Sequence, residues 1–232
     1  MSNNNNKSSS DTLHNSTKSL LLEAKNISHH FDYPLFENIN LSLEKNETIA
    51  IIGASGCGKS TLLNIFCSLL KPLDGTIYFN KKSIFELKQD EMLKLRRDDF
   101  GIIFQAHYLF RGFGADENLH IAELLSGESI DNNLMQRLDI SHVLTQGIGE
   151  LSGGQQQRLS IARVLTKKPK IIFADEPTGN LDQKTAQEVM KVMFEYVSKQ
   201  NAGMILVTHD ESIAFSCDKV YKLINQKLER LK

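Results

Sequence analysis

A chain of 232 residues is long enough for one sizeable apolar core and short for two. Its 41% hydrophobic and 24% charged residues are ordinary for a globular domain, and a net charge of −1 supplies no global pull toward nucleic acid or an anionic membrane. Three scattered cysteines, Cys57, Cys67 and Cys217, lack metal-ligand spacing and predict reduced thiols rather than a disulfide framework.

Residues 1–18, "MSNNNNKSSSDTLHNSTK", are nearly all polar and predict a disordered tail, because they cannot bury enough apolar surface to offset their ordering entropy. The "LLL" at 20–22 is too short for a signal-peptide core. No later stretch reaches the roughly 18 apolar residues in a row that a membrane span requires. A single domain is therefore expected over 19–232. It begins with "SLLLEA" and "LFENINLSL", which read as half-buried strands, followed by "ETIAII", the unbroken apolar run of a strand buried on both faces. A helix is predicted from Lys59, burying Leu62, Leu63, Ile65 and Phe66 and ending before the turn "KPLDG". "TIYF" and "FGIIF" predict strands on either side of a short helix "DEMLKLRR". Between Ala106 and Gly149 the apolar spacing turns helical, with no strand signal. Alternation then resumes with a helix over 153–167, strand "KIIFAD", a helix over 183–199, strand "GMILVTHD" and a terminal hairpin "KVYKLINQKLERL". Alternating strands and helices argue for an α/β fold with a mainly parallel sheet.

"GASGCGKS" fits G-x4-G-K-[ST] and falls between a buried strand and an amphipathic helix. Gly53, Gly56 and Gly58 let the backbone curl so that successive N–H groups face one anion, and the helix N-terminus adds positive potential. The expected cradle is Gly53, Ala54, Ser55, Gly56, Cys57, Gly58, Lys59, Ser60 and Thr61. Lys59 is placed to reach the β/γ phosphates and Ser60 to offer its hydroxyl to Mg²⁺. The loop alone suits a kinase, a GTPase or a helicase equally.

The acids narrow the choice. "IIFADEP" ends an apolar strand in two adjacent carboxylates that point to opposite sides, so they predict different tasks. Asp175 is placed for the Mg²⁺ shell, and Glu176 to polarise a water attacking the γ-phosphate. His209 in "VTHD" also falls at a strand's C-terminal edge, positioned to bridge the γ-phosphate and Glu176. The other histidines, His14, His29, His30, His107, His120 and His142, are read as structural.

Taken in order, "GASGCGKST", Gln105, "LSGGQQQR", "IIFADEP", "GNLD" and "VTHD" resemble the nucleotide-binding subunit of an ABC transporter, from about residue 20 onward. The resemblance implies the ABC ATPase fold: a P-loop NTPase core with a mainly parallel sheet, an N-terminal antiparallel β part and a helical subdomain over approximately 106–168. It implies an ATP hydrolase using ATP and Mg²⁺, with two copies stacked head to tail. Ser152, Gly153, Gly154 and Gln155 would then serve the nucleotide held by the other copy, as a second helix N-terminus aimed at one anion. Asp182 would cross that interface. Gln105 would join the metal shell and couple it to the helical subdomain. Phe31 corresponds by position to the ring that stacks on adenine, with Tyr33 as the competing ring and a buried core phenylalanine as the remaining reading. One departure is Asn46-Glu47, where the family usually has Gly-Glu; asparagine tolerates the left-handed turn this needs.

Tyr108, Leu109, Phe110 and Phe113 supply either an apolar groove for a short helix of a membrane subunit or packing for the subdomain. The wording of this region is most similar to the ATPases of lipoprotein-releasing systems, with MacB-type exporters and FtsE-type cell-division ATPases as alternatives. Implied partners are integral membrane permease subunits and a second copy of the chain, with no nucleic acid, at the cytoplasmic face of the inner membrane as a peripheral subunit. A soluble, non-transport ABC ATPase is the different-class alternative; a single "LSGGQ" and the lack of heptads speak against it.

Overall fold

The computed structural model describes residues 19–232, so the polar stretch 1–18 lies outside the described residues. Strands β1 (Leu20–His30) and β2 (Pro34–Glu44) form an antiparallel pair, followed by β3 (Glu47–Ile52). Helix α1 (Lys59–Phe66) then leads to β4 (Asp74–Phe79) and the two-residue β5 (Lys82–Ser83). Next come α2 (Gln89–Lys94), β6 (Phe100–Ile103), α3 (Ala115–Ser126), α4 (Asn132–Arg137) and α5 (Gly153–Thr166). The chain ends with β7 (Ile171–Asp175), α6 (Gln183–Gln200), β8 (Gly203–Val207), the single turn α7 (Glu211–Ala214), β9 (Lys219–Ile224) and β10 (Lys227–Arg230).

Two sheets result. One is antiparallel, in the order β2-β1-β4-β5; the other runs β10-β9-β3-β8-β7-β6 and is parallel except for the terminal hairpin. The central strands show why their sequences are apolar throughout. Along β3, Ile49 and Ile51 face one apolar cluster while Ala50 and Ile52 face another; in β7, Ile171 and Phe173 alternate with Ile172 and Ala174 in the same way. A strand with period-two side chains and both faces covered has no position left for a polar residue. The first cluster lies against α1 and the antiparallel sheet, through Leu22, Phe36 and Phe66; the second lies under α5 and α6, through Leu159 and Met193.

Local chemistry sets the joints. Asn46 turns from β2 to β3 at φ 56°, the left-handed conformation that asparagine permits. The strand signals outside 106–149 hold, and among the described residues the only strand-type pairing within that stretch is an isolated bridge between Gly114 and Gly147. Details differ from the sequence pattern, among them the unexpected short strand β5. The helix in "DEMLKLRR" stops at Lys94 and the chain widens into a π turn over Leu95–Asp99, and α7 carries no periodic signal because a four-residue turn is too short to show one.

Candidate active site

Strand β8 lies between β3 and β7, so the loops leaving the C-terminal ends of all three strands emerge side by side. Ligands gather at this edge of open parallel sheets. The topology thereby brings together "GASGCGKST" after β3, Asp175–Glu176 at the end of β7 and Thr208–His209 after β8.

The loop after β3 depends on its glycines. Gly58 takes φ 102° at the N-cap of α1, where a Cβ would press within 3.3 Å of Leu35 and Phe36. A Cβ on Gly53 would stand 2.7 Å from the Leu223 carbonyl oxygen and 2.9 Å from Cys57 Sγ. Only hydrogen leaves the cradle open at these positions. Lys59 folds back over the loop, its Nζ donating to the Gly53 carbonyl at 2.9 Å and the Ala54 carbonyl at 2.8 Å. The ammonium is thus held at the mouth of the cradle by two neutral acceptors.

Asp175 and Glu176 do occupy different environments. Burial pushes the Asp175 carboxyl above its ordinary range, a hydrogen bond from Ser60 pulls it back, and the Glu176 charge pushes it up again. Its Oδ1 is buried with no hydrogen-bond partner. Glu176 sits just past the strand at φ 47°, with its N–H donating to the Val207 carbonyl at 2.9 Å. Its two carboxylate oxygens are both engaged: Oε1 lies 2.9 Å from His209 Nδ1, and Oε2 accepts from the Thr208 hydroxyl at 3.1 Å. Glu176 is largely buried whereas the His209 side chain is 75% exposed, so the imidazole bridges the acid and open solvent.

The remaining candidates lie elsewhere on the surface. Ser152 caps α5: its Oγ accepts from the Gln155 N–H at 3.2 Å, and Gln155 Oε1 accepts from the Ser152 N–H at 2.8 Å. This reciprocal box fixes the start of the helix and leaves Ser152 and Gly153 exposed. Among the described residues no hydrogen bond joins Ser152, Gly153, Gly154 or Gln155 to residues 53–61. Asp182 caps α6, accepting from Thr185 Oγ1 at 2.5 Å and from its N–H at 3.1 Å, and these bonds hold its carboxyl below the usual range. Gln105 is exposed at the end of the β6 loop. Phe31 and Tyr33 are both exposed, at 55% and 60%, which removes the buried-core reading for Phe31. Phe31 stands edge-on to His29 with 5.0 Å between ring centres, and His29 stacks toward Phe36, the ring beneath Gly58.

Two relationships were not visible in the sequence. A Cβ on Gly154 would lie 3.2 Å from Leu181 Cδ2, so the start of α5 rests on the "GNLD" segment. His107, read as one structural histidine among several, has its Nε2 3.3 Å from Asn180 Nδ2 and ties the Gln105 loop to that same segment. The partners are 73 residues apart, beyond the reach of any local pattern. Of the four aromatic-region residues, Leu109 packs on the core beneath α5 while Tyr108, Phe110 and Phe113 stay exposed.

The model of the ABC transporter family matches residues 36–179. The chain belongs to that family. Relatives include the lipoprotein-releasing system ATP-binding protein LolD of Xanthomonas campestris pv. campestris, 40% identical over 204 residues and 85% of each chain. Another is the LolD of Rickettsia felis, 41% identical over 214 residues, 88% of this chain and 95% of the relative. The ATP-binding cassette MJ0796, in a dimeric post-hydrolysis state bound to ADP and Pi, superposes with a TM-score of 0.83 at 30% identity over 91% of this chain and 99% of its own.

This ABC ATPase is therefore an ATP-hydrolysing subunit of a transporter, and its fold is that of the cassettes. Its residues also fit a magnesium ion. Buried Asp175 Oδ1 lacks a partner beside the Ser60 hydroxyl. One hydroxyl, one acid and substrate phosphates are a donor set that magnesium takes. Among the described residues no helix is long and apolar enough to cross a membrane.

Proposed function

We propose that this ABC ATPase powers a lipoprotein-releasing system, docking as a peripheral subunit on integral membrane permease subunits at the cytoplasmic face of the inner membrane. The relatives named LolD support the assignment of the cargo. In this reading two copies close head to tail on ATP and Mg²⁺, each nucleotide lying between one copy's residues 53–61 and the other's Ser152–Gln155.

The observation that carries the reading is the presence of two separate helix N-termini, each open to an anion, within one chain. The cradle before α1 and the capped start of α5 each present a helix N-terminus, yet no hydrogen bond between them closes the pocket. A second copy supplies the missing half. Ser60 and Asp175, with Gln105, would hold a magnesium ion, which when bound would supply positive charge beside the phosphates. Lys59 turns from the two loop carbonyls to the β/γ oxygens. Glu176 accepts the proton of the attacking water; His209 keeps that carboxylate aimed and contacts the γ-phosphate. Asp182 lies at the copy–copy boundary. Phe31, at the end of the aromatic row Phe36–His29–Phe31 that starts under the cradle, stacks on adenine in preference to Tyr33.

The test has two arms. Trapped with a hydrolysis-resistant analogue and magnesium, the protein should sediment as a dimer whose structure shows both copies on each triphosphate. Affinity purification from native membranes should recover lipoprotein-release permeases; recovery of an efflux or division complex instead overturns the cargo assignment and leaves the ATPase intact.

A further inference from the structure

His29 is the anomaly of strand β1. It follows Ile27 by two residues and pairs with Phe36 on β2, both fully buried, so an apolar side chain would suit the position. An imidazole sits there instead, only 6% exposed, and neither ring nitrogen has a hydrogen-bond partner. Burying an unpaired donor is costly, and burying an unpaired charge costs more, so the ring is held neutral. Burial lowers its proton affinity, and the charge of the adjacent His30 lowers it further.

The rings around it give it a task. Phe31 meets it edge-on with 5.0 Å between ring centres, and Phe36 lies on it at 6.4 Å with the planes 30° apart. Phe31 is otherwise lightly held. Strand β1 ends at His30, the Phe31 N–H donates to the Tyr33 carbonyl at 3.3 Å, and the Phe31 carbonyl lies 2.8 Å from His30 Nδ1. Among the described residues, His29 is the one aromatic ring packed against Phe31, so side-chain packing rather than the sheet sets how that ring stands.

Acid acts on this packing. The charged groups of the surrounding elements are His30 on β1, Asp32 in the turn after it, Glu37 on β2, Asp74 on β4 opposite Ser28, and Lys59, whose ammonium is turned to the Gly53 and Ala54 carbonyls. Of these only His30 acts on the imidazole, and it is a like charge. Among the described residues the histidines that meet a carboxylate are His120, His142 and His209, not His29. An imidazolium at this position is stable only once hydrated, and hydration has to part it from a ring packed on it. Phe36 is fully buried and Phe31 is 55% exposed, so Phe31 is the ring that yields.

Resting on the reading that Phe31 stacks on adenine, we propose that His29 is the positioning residue of that contact: uncharged it seats Phe31, and on protonation it releases the ring. Acid then loosens the hold on the base and leaves the hold on the phosphates to the cradle.

Calorimetric titration of the full-length protein with MgATP and with magnesium tripolyphosphate, from pH 8 to pH 5, gives a ratio of affinities that isolates the nucleoside, because both ligands carry titrating phosphates. In wild type the ratio should fall about tenfold on acidification, the scale of one base–aromatic stack, with a midpoint below the ordinary histidine value of 6.5. His30→Gln should keep the fall and move its midpoint upward, because the like charge is gone. His29→Phe, a flat ring that cannot charge, should give a ratio that does not change with pH, and His29→Ala should lower the ratio at every pH. Should these variants not fold, wild type still decides. With carbon-13-labelled phenylalanine, assigned by the signal lost in Phe31→Leu, the Phe31 resonance of wild type should shift with the same midpoint as the ratio. A stationary Phe31 resonance, a wild-type ratio flat with pH, a fall that survives His29→Phe or vanishes in His30→Gln, or an unchanged ratio in His29→Ala overturns the proposal. Phe31→Leu separates the two readings. An unchanged ratio at pH 8 in that variant removes stacking by Phe31 and this proposal with it, whereas a lowered ratio there, with no pH dependence in wild type, removes this proposal alone.

Discussion

His209 Nδ1 stands 2.9 Å from Glu176 Oε1, and the Thr208 hydroxyl holds the other oxygen of the same carboxylate. A carboxylate gripped on both oxygens is held in one orientation. Glu176→Gln keeps shape and loses basicity. It should reduce steady-state ATP turnover by about 100-fold or more while ATP still binds and the dimer accumulates, as read by phosphate release and by sedimentation. Near-normal hydrolysis would remove Glu176 from the base role.

Asp175 gives a prediction whose sign depends on pH. Its carboxyl is raised above the ordinary value near 3.8, first by burial. The unfolded chain therefore ionises it more readily than the folded one. Stability tied to this group is fully present below the unfolded value and is lost as pH rises through the folded one. Asp175→Asn removes the penalty. At pH 7, without nucleotide, the variant should melt about 2 °C higher than wild type, and the gap should close as pH falls toward 4. Adding ATP and magnesium should reverse the order, because only wild type gains the ligand's stabilisation. A gap that does not change with pH would show that the carboxylate carries no burial penalty.

Much of this molecule was legible in its sequence, and the reason lies in the central strands. Ile49 to Ile52 and Ile171 to Ala174 are apolar at every position because both faces of the sheet are covered, while Gly53 and Gly58 leave no easy room for a Cβ and Gly56 and Gly58 take left-handed backbone conformations. Asn46 was readable as a left-handed turn for the same stereochemical reason. What stayed hidden is contact at a distance. Nothing local to His107 announces Asn180, and nothing in "ESIA" separates a single helical turn from a loop. The site residues divide accordingly: those at strand ends declare themselves through the strands, whereas the resting of the α5 start on Leu181 is visible only in the fold.

The capping box at the start of α5 lets two roles of Ser152 be separated. Its hydroxyl satisfies the Gln155 N–H, so Ser152→Ala should cost about 1 kcal/mol of stability, a fall in melting temperature of roughly 2–4 °C. Ser152→Arg loses the same bond and adds bulk where the helix N-terminus is open to a second copy. It should show a similar melting temperature but nearly abolish turnover, while monomer affinity for ATP, measured by fluorescent-nucleotide titration, stays unchanged. A collapse of monomer affinity would mean that the signature serves the nucleotide of its own chain.

Cys57 offers a chemical handle on the cradle. Cys67 and Cys217 are buried and burial pushes each thiol up to about 12, which keeps them protonated and unreactive near neutrality. Cys57 is half-buried inside the loop, with its sulfur close against Gly53. N-ethylmaleimide at pH 7.5 should therefore add once per folded chain, at Cys57, as read by peptide mass spectrometry. The adduct fills space that only a glycine-lined loop leaves free, so the modified protein should lose nucleotide binding, and ATP bound beforehand should slow the labelling. The Cys57→Ser protein, compared with its own untreated sample, should bind nucleotide equally well before and after exposure to the reagent. Loss of binding in that variant would place the sensitive group elsewhere, and labelling at Cys67 or Cys217 would show that the core opens on the timescale of the reaction.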